Sequence, residues 1–69
     1  MRREEVVKGG RTELTRSFKA YLWVYPLPPG TKATIKGIEC NDGFEDYVWL
    51  LFDGMSYYSF VPITSLKRI

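Results

Sequence analysis

The sequence predicts an all-β domain built from five short strands. Two stretches, residues 14–25 and 31–39, alternate in the way that half-buried strands alternate. A third stretch, residues 47–61, carries Asp53-Gly54 between two apolar runs, and this dipeptide favours a hairpin turn. A last short strand at 67–69 would complete the sheet. Prolines and glycines separate these stretches and keep each element short.

The N-terminal residues 1–13 are expected to be a polar lead-in, followed by one folded domain over residues 14–69. Gly9-Gly10 interrupts regular structure in the lead-in, which favours a frayed terminus over a strand or turn at Val6-Val7. For residues 14–25 a strand is preferred, and a helix over 12–20 is the alternative. The side chains expected on one face of that strand are Phe18, Ala20, Leu22 and Val24.

Two loops flank the second predicted strand. Residues 26–30, PLPPG, form a stiff connector, because prolines lack the donor that a ladder needs. Residues 40–46 form an acidic, turn-rich loop whose spacing differs from that of a calcium-binding loop. The strand between them is expected to bend at Gly37. Ala33, Ile35 and Gly37 would share one of its faces, opposite Thr34, Lys36 and Ile38.

The hairpin of residues 47–61 divides into two faces. Its loop is either Asp53-Gly54 or Asp53 to Ser56, and both registers place the same residues on the same face, because they differ by an even shift. Residues 63–66, after Pro62, predict a helical or 3-10 turn. The inward face is expected to carry Val48, Leu50, Phe52, Tyr57, Ser59 and Val61, and the outward face Tyr47, Trp49, Leu51, Tyr58 and Phe60.

Composition excludes several kinds of site. The chain has no histidine, so a His-based triad or a Cys/His zinc site is impossible, and no catalytic residue, metal or cofactor is predicted. The single cysteine excludes an internal disulfide, and no apolar run could span a membrane, so a cytoplasmic protein without membrane contact is expected. The net charge of +2 is unevenly distributed, with +3 over residues 1–19, −5 over residues 39–53 and +4 over the rest of the chain. That division suits a protein partner at least as well as a nucleic acid.

Several motifs occur together in residues 28–69: Pro29-Gly30-Thr31, an acidic loop, the run VWLLFDG and the closing VPITSL. Together they resemble the small SH3-like barrels, which include SH3 and Tudor domains, photosystem I subunit IV and plasmid-borne type II dihydrofolate reductase. The resemblance implies a five-stranded barrel with a 3-10 turn before the last strand. It does not imply one function, because that fold hosts unrelated activities. The residues it places inside are Val48, Leu50, Phe52, Val61 and Leu66.

Three functions are open from the sequence. The leading prediction is a small regulatory or inhibitory accessory protein, of phage or plasmid type, that binds a protein partner or a second copy of itself through the outward aromatic face. The predicted strand 14–25 could instead cover that face. The alternative is a barrel that stacks single-stranded nucleic acid on rings beside basic groups. The third is an oligomeric enzyme of the reductase kind, although residues 58–61 lack the amide side chain of that family. The partner-binding residues are Tyr47, Trp49, Leu51, Tyr58 and Phe60, and those for nucleic acid are Arg16, Lys19, Tyr21, Trp23 and Lys36.

Overall fold

Five antiparallel strands form one sheet in the computed structural model, which describes residues 1–69. Two single 3-10 turns accompany them, Arg3–Glu5 near the N-terminus and Ile63–Ser65 directly before the last strand. The predicted all-β class and the predicted 3-10 turn are therefore confirmed. The strands are β1 (Arg11–Leu14), β2 (Lys32–Glu39), β3 (Tyr47–Phe52), β4 (Ser59–Pro62) and β5 (Leu66–Arg68).

The strand order across the sheet is β4-β3-β2-β1-β5. β4 and β5 are its two edges and do not pair, so the sheet is not closed into the barrel that the resemblance implied. The second 3-10 turn carries the chain from one edge to the other. The amide of Thr15 donates to the carbonyl of Ser65 at 2.8 Å, which ties the end of β1 to this turn.

The core lies on one face of the sheet, where the inward residues of β3 and β4 meet those of the other strands. Val48, Leu50, Phe52, Val61 and Leu66 are each at most 1% exposed, in agreement with the predicted alternation. Burying an apolar side chain of this size contributes about 1.5–3 kcal/mol. A one-residue shift in the pairing of a strand would turn its buried side chains toward solvent. The alternating pattern therefore fixes the register of the strands.

β2 contains an irregularity that changes its faces. Ile35 pairs with Leu50 and Gly37 pairs with Trp49, so Lys36 is an extra residue, a β-bulge. Beyond the bulge Ile38 pairs with Val48 and packs against the core. Simple alternation predicted Gly37 on the face of Ile35 and Ile38 on the opposite face. That prediction was wrong beyond Lys36, because the bulge shifts the alternation by one residue.

The predicted strand over 14–25 does not form. β1 already has β2 on one side and β5 on the other, and the chain leaves the sheet after Leu14. Residues 15–31 instead make a long loop, the 15–31 loop, in which Phe18 and Leu27 form an isolated bridge. The residues predicted to share one face of that strand do not share one environment, because Ala20 is buried whereas Leu22 and Val24 are 74% and 79% exposed.

The N-terminal lead-in is attached to the sheet along its length, so the expected frayed terminus was wrong. The nitrogen of Met1 donates to the carbonyl of Leu66 at 2.8 Å. Gly9 donates to the carbonyl of Ile35 and Ile35 donates back to Gly10, at 2.7 and 2.8 Å. Residues 11–13, grouped with the lead-in from the sequence, belong to β1.

The β3–β4 hairpin has the register of the longer predicted loop. Leu50 pairs with Ser59 and Trp49 with Phe60, and this register continued outward would place Phe52 opposite Tyr57. Gly54 has φ +85°, the left-handed conformation that glycine adopts without steric cost, and Met55 donates to the carbonyl of Phe52 at 3.0 Å. None of the helical turns has the length or apolar composition that crossing a bilayer requires.

Candidate functional site

The outer side of the hairpin carries a cluster of exposed rings. The ring centroids of Trp49 and Phe60 lie 4.0 Å apart, and those of Trp49 and Tyr58 lie 6.4 Å apart in an edge-on arrangement. Trp49 and Phe60 point outward because each alternates with buried neighbours along its strand, and Tyr58 directly precedes β4, next to the buried Ser59. Trp49 is 37% exposed, Phe60 42% and Tyr58 56%, so each keeps more than a third of its surface open to solvent.

The other two residues predicted for this face flank the rings. Tyr47 pairs with Pro62 at one end of the hairpin and is exposed, and Leu51 is half-buried opposite Thr34 of β2. The structure thus places all five predicted partner-binding residues on one side of the sheet. The outer aromatic face is defined here as Tyr47, Trp49, Leu51, Tyr58 and Phe60.

A shallow depression of about 460 Å³ lies beside the indole of Trp49. It exists because the strand partner of Trp49 is Gly37, which has no side chain to cover that flank of the ring. A Cβ added at Gly37 would lie 3.9 Å from Cδ1 of Trp49, an ordinary contact. The residues that line the depression are Lys8, Lys36, Gly37, Ile38, Trp49 and Tyr58.

Two cations at the rim of the depression have no carboxylate partner. Lys36 is the bulged residue of β2. Lys8 reaches the same place because the neighbouring Gly9 and Gly10 exchange hydrogen bonds with Ile35. Neither lysine takes part in an ion pair, whereas Lys32 and Lys67 both contact Glu13. The depression therefore combines aromatic walls with uncompensated positive charge.

Two aspartates, Asp46 and Asp53, are each paired with an arginine away from the depression. Asp46 accepts two hydrogen bonds from the Arg3 guanidinium, which lower the pKa of that carboxyl, and the amide of Asn41 lowers it further. Asp53 accepts a similar pair from Arg11, which lowers its pKa in the same way. No three His, Cys, Asp or Glu side chains come together to make a metal site.

Searches of protein-family models, curated proteins and solved structures find no match to this chain. The case for a function therefore rests on the chain's own residues.

The residues predicted to bind nucleic acid are divided between two places. Arg16, Lys19, Tyr21 and Trp23 all lie on the 15–31 loop, and each is exposed. Lys36 lies on β2 beside Trp49.

Three residues of the depression were not identified from the sequence as site residues. Lys8 was assigned to a lead-in, and only its pairing with β2 brings it near Trp49. Gly37 was recognised as a bend, but its position opposite a tryptophan depends on the strand register. Ile38 was predicted on the same face as Lys36, whereas the bulge next to the predicted bend at Gly37 pairs it with the buried Val48.

Proposed function

We infer that this protein is a small interaction module that binds a protein segment on its outer aromatic face. The observation that carries the proposal is the contact cluster of Trp49, Tyr58 and Phe60, which is packed as a core is packed yet remains exposed. Aromatic side chains at the centre of a patch are the usual anchors of protein interfaces. They lose little conformational entropy on binding when their neighbours already hold them.

The depression beside Trp49 indicates what the partner presents. An apolar side chain fits against the indole where Gly37 leaves its flank open. Lys8 and Lys36 at the rim favour a carboxylate next to that side chain, because neither has an acidic partner within the chain. The proposed ligand is thus an extended segment that carries an apolar residue flanked by Asp or Glu.

A peptide-display library selected on the immobilised protein tests this proposal. We expect enriched peptides to share an apolar residue next to one or more acidic residues. Gly37→Val adds a side chain next to the depression from a strand position, and the atom nearest to its new Cβ, Cδ1 of Trp49, is 3.9 Å away. It should weaken peptide binding by about tenfold or more, and Trp49→Thr should weaken it at least as much.

The matched control is Phe44→Ser, which removes a ring that is 84% exposed but lies in the acidic loop. Binding to this variant should equal binding to the wild type. Selected peptides that bind Gly37→Val and wild type equally would contradict the proposal, as would a library that gives no enrichment.

Single-stranded nucleic acid remains the second candidate, because Lys8 and Lys36 stand beside rings on which bases could stack. Titration with a single-stranded oligonucleotide at about 50 mM and about 200 mM salt separates the two. Strongly salt-dependent binding that Gly37→Val abolishes would favour nucleic acid over an acidic peptide.

A second copy of the chain is the third possible occupant, and concentration-dependent self-association that Trp49→Thr removes would identify it.

A further inference from the structure

The end of the 15–31 loop exposes an unbroken run of apolar and aromatic side chains, residues 21–25, here named the loop tip. Four of its five side chains are at least 74% exposed, more than any residue of the outer aromatic face. The sequence predicted that Leu22 and Val24 would lie on one face of a strand together with Phe18 and Ala20. The loop-tip exposures are Tyr21 80%, Leu22 74%, Trp23 42%, Val24 79% and Tyr25 75%.

The loop that carries this tip is held in a defined position. Phe18 and Leu27 exchange backbone hydrogen bonds at 3.0 and 2.8 Å, and Ala20 and Leu27 are buried in the core. The hydroxyl of Tyr57 donates to the carbonyl of Tyr21 at 2.5 Å. The exposure of the tip is therefore a feature of the fold, since the base of the loop is anchored on both sides.

Leu22 has a backbone conformation that leucine rarely adopts. Its φ is +67°, and it is the only residue other than glycine with a positive φ. Such strain persists only where the surrounding structure imposes it, and it is found most often at functional positions. Here it places an apolar side chain in solvent.

The charge around the tip has one sign. Residues 14–38 contain no Asp or Glu, and Arg16 and Lys19 precede the tip. Both cations are exposed and neither takes part in an ion pair with the rest of the chain. Symmetric pairing of two copies through this loop would bring their Arg16 and Lys19 side chains together without any carboxylate, which disfavours a second copy as the occupant.

We propose that the loop tip inserts into the interface of an anionic lipid surface. Leu22 and Val24 would enter the acyl boundary, and Tyr21, Trp23 and Tyr25 would lie at headgroup depth, where amphipathic rings are favoured. Arg16 and Lys19 would contact anionic headgroups. The sequence-based expectation of no membrane contact rested on the absence of a membrane-spanning segment. Insertion of a loop tip into the lipid interface needs no such segment, so that absence does not oppose the proposal. The proposal is independent of the outer aromatic face.

Vesicle sedimentation tests the proposal. The full chain is mixed with vesicles of phosphatidylcholine alone and with vesicles that also contain phosphatidylserine. We expect binding to the anionic vesicles, weaker binding to the neutral ones, and a decrease as salt is raised. The variant Leu22→Asn/Val24→Ser should lower the partition coefficient about tenfold or more, and Arg16→Gln/Lys19→Gln should remove the preference for anionic lipid.

A spectroscopic readout locates the insertion. In a Trp49→Phe variant the remaining tryptophan is Trp23, and its emission should shift to shorter wavelength when anionic vesicles are added. Asn tolerates a positive φ, so the Leu22→Asn/Val24→Ser protein should remain folded, which circular dichroism checks. Phe44→Ser is the control, because it removes an equally exposed ring from the acidic loop and should leave vesicle binding unchanged.

Three results would overturn the proposal. The first is no sedimentation with either vesicle, which leaves a protein partner as the occupant. The second is sedimentation that the loop-tip variant does not reduce. The third is self-association without lipid that the loop-tip variant removes, which would assign the tip to a dimer. Peptide binding on the outer aromatic face should be the same for wild type and loop-tip variant, so the two proposals can fail separately.

Discussion

Asp46 is the residue at which separate segments of the chain meet. Its carboxylate accepts hydrogen bonds from Nε and Nη2 of Arg3 at 2.7 and 2.9 Å and from the amide of Asn41 at 3.0 Å. Its carbonyl accepts the amide of Ile63, the first residue of the second 3-10 turn, at 3.0 Å. A single buried aspartate thus connects the N-terminus, the acidic loop and the turn that precedes β5.

The Asp46 carboxylate should make stability depend on pH in the acid range. The Arg3 hydrogen bonds, followed by that of Asn41, hold its pKa below the usual value. The unfolded chain therefore takes up the proton at higher pH than the folded one, and the stabilisation is present above about pH 4 and lost as pH falls through the folded pKa. Wild type and Asp46→Asn should differ in free energy of unfolding at neutral pH and converge in acid.

Urea unfolding at a series of pH values measures that convergence. Asp42→Asn serves as the control, because Asp42 is exposed and should leave the pH profile unchanged. A difference between wild type and Asp46→Asn that stays constant from neutral pH into acid would show that the Asp46 charge does not matter for folding.

At the scale of elements, β3 carries the core and the candidate site on alternate residues. Leu50 is fully buried while its neighbour Trp49 contributes the central ring of the outer aromatic face. The partner strand β4 repeats this division with Phe60 outside and Val61 inside, and Tyr58, directly before the strand, is also exposed. One hairpin therefore supplies both part of the core and the outer aromatic face.

Substitutions on the two faces should differ strongly in their cost. Leu50→Ala should lower the free energy of unfolding by about 2–5 kcal/mol, because it removes buried methyl groups and leaves a cavity. Tyr58→Thr should lower it by about 1 kcal/mol or less, since it removes an exposed ring and one edge-on aromatic contact. Chemical denaturation of both variants gives the comparison. Equal costs would mean that the outer aromatic face is part of the core.

At the scale of the whole molecule, the N-terminal segment connects parts of the sheet that are far apart in sequence. Met1 bonds to Leu66, Arg3 to Asp46, and Gly9-Gly10 to Ile35. A chain of this size buries only about 60% of its unfolded surface, and each such connection is a large part of its stability. The same segment places Lys8 at the candidate site.

Deletion of residues 1–5 should destabilise the domain. Loss of the Met1 side-chain packing and of its hydrogen bond to Leu66 alone should lower the free energy of unfolding by about 1–2 kcal/mol. Denaturant unfolding measures the change, and amide exchange at the neighbouring β5 backbone should become faster. Deletion of Ile69, which is exposed beyond the end of β5, is the matched control at the other terminus. An unchanged midpoint for the N-terminal deletion would restore the frayed terminus that the sequence suggested.

The sequence by itself determined the two faces of the β3–β4 hairpin. Successive side chains of a strand point to opposite sides, so the alternation from Tyr47 to Phe52 and from Tyr58 to Val61 needs no knowledge of distant residues. The position of the 3-10 turn at Ile63–Ser65 followed from equally local signals.

Only the tertiary structure decided where residues 15–31 lie and what stands beside Trp49. The chain leaves the sheet after β1, both sides of which are paired, and the alternating segment that follows forms a loop with an exposed tip. The bulge at Lys36 and the pairing of Gly9-Gly10 with Ile35 likewise depend on register between distant segments. Side-chain alternation is a property of neighbouring residues, whereas strand pairing is a property of the whole chain. For this reason the outer aromatic face was predictable from the sequence, and the position of Lys8 and Lys36 at the rim of the depression was not.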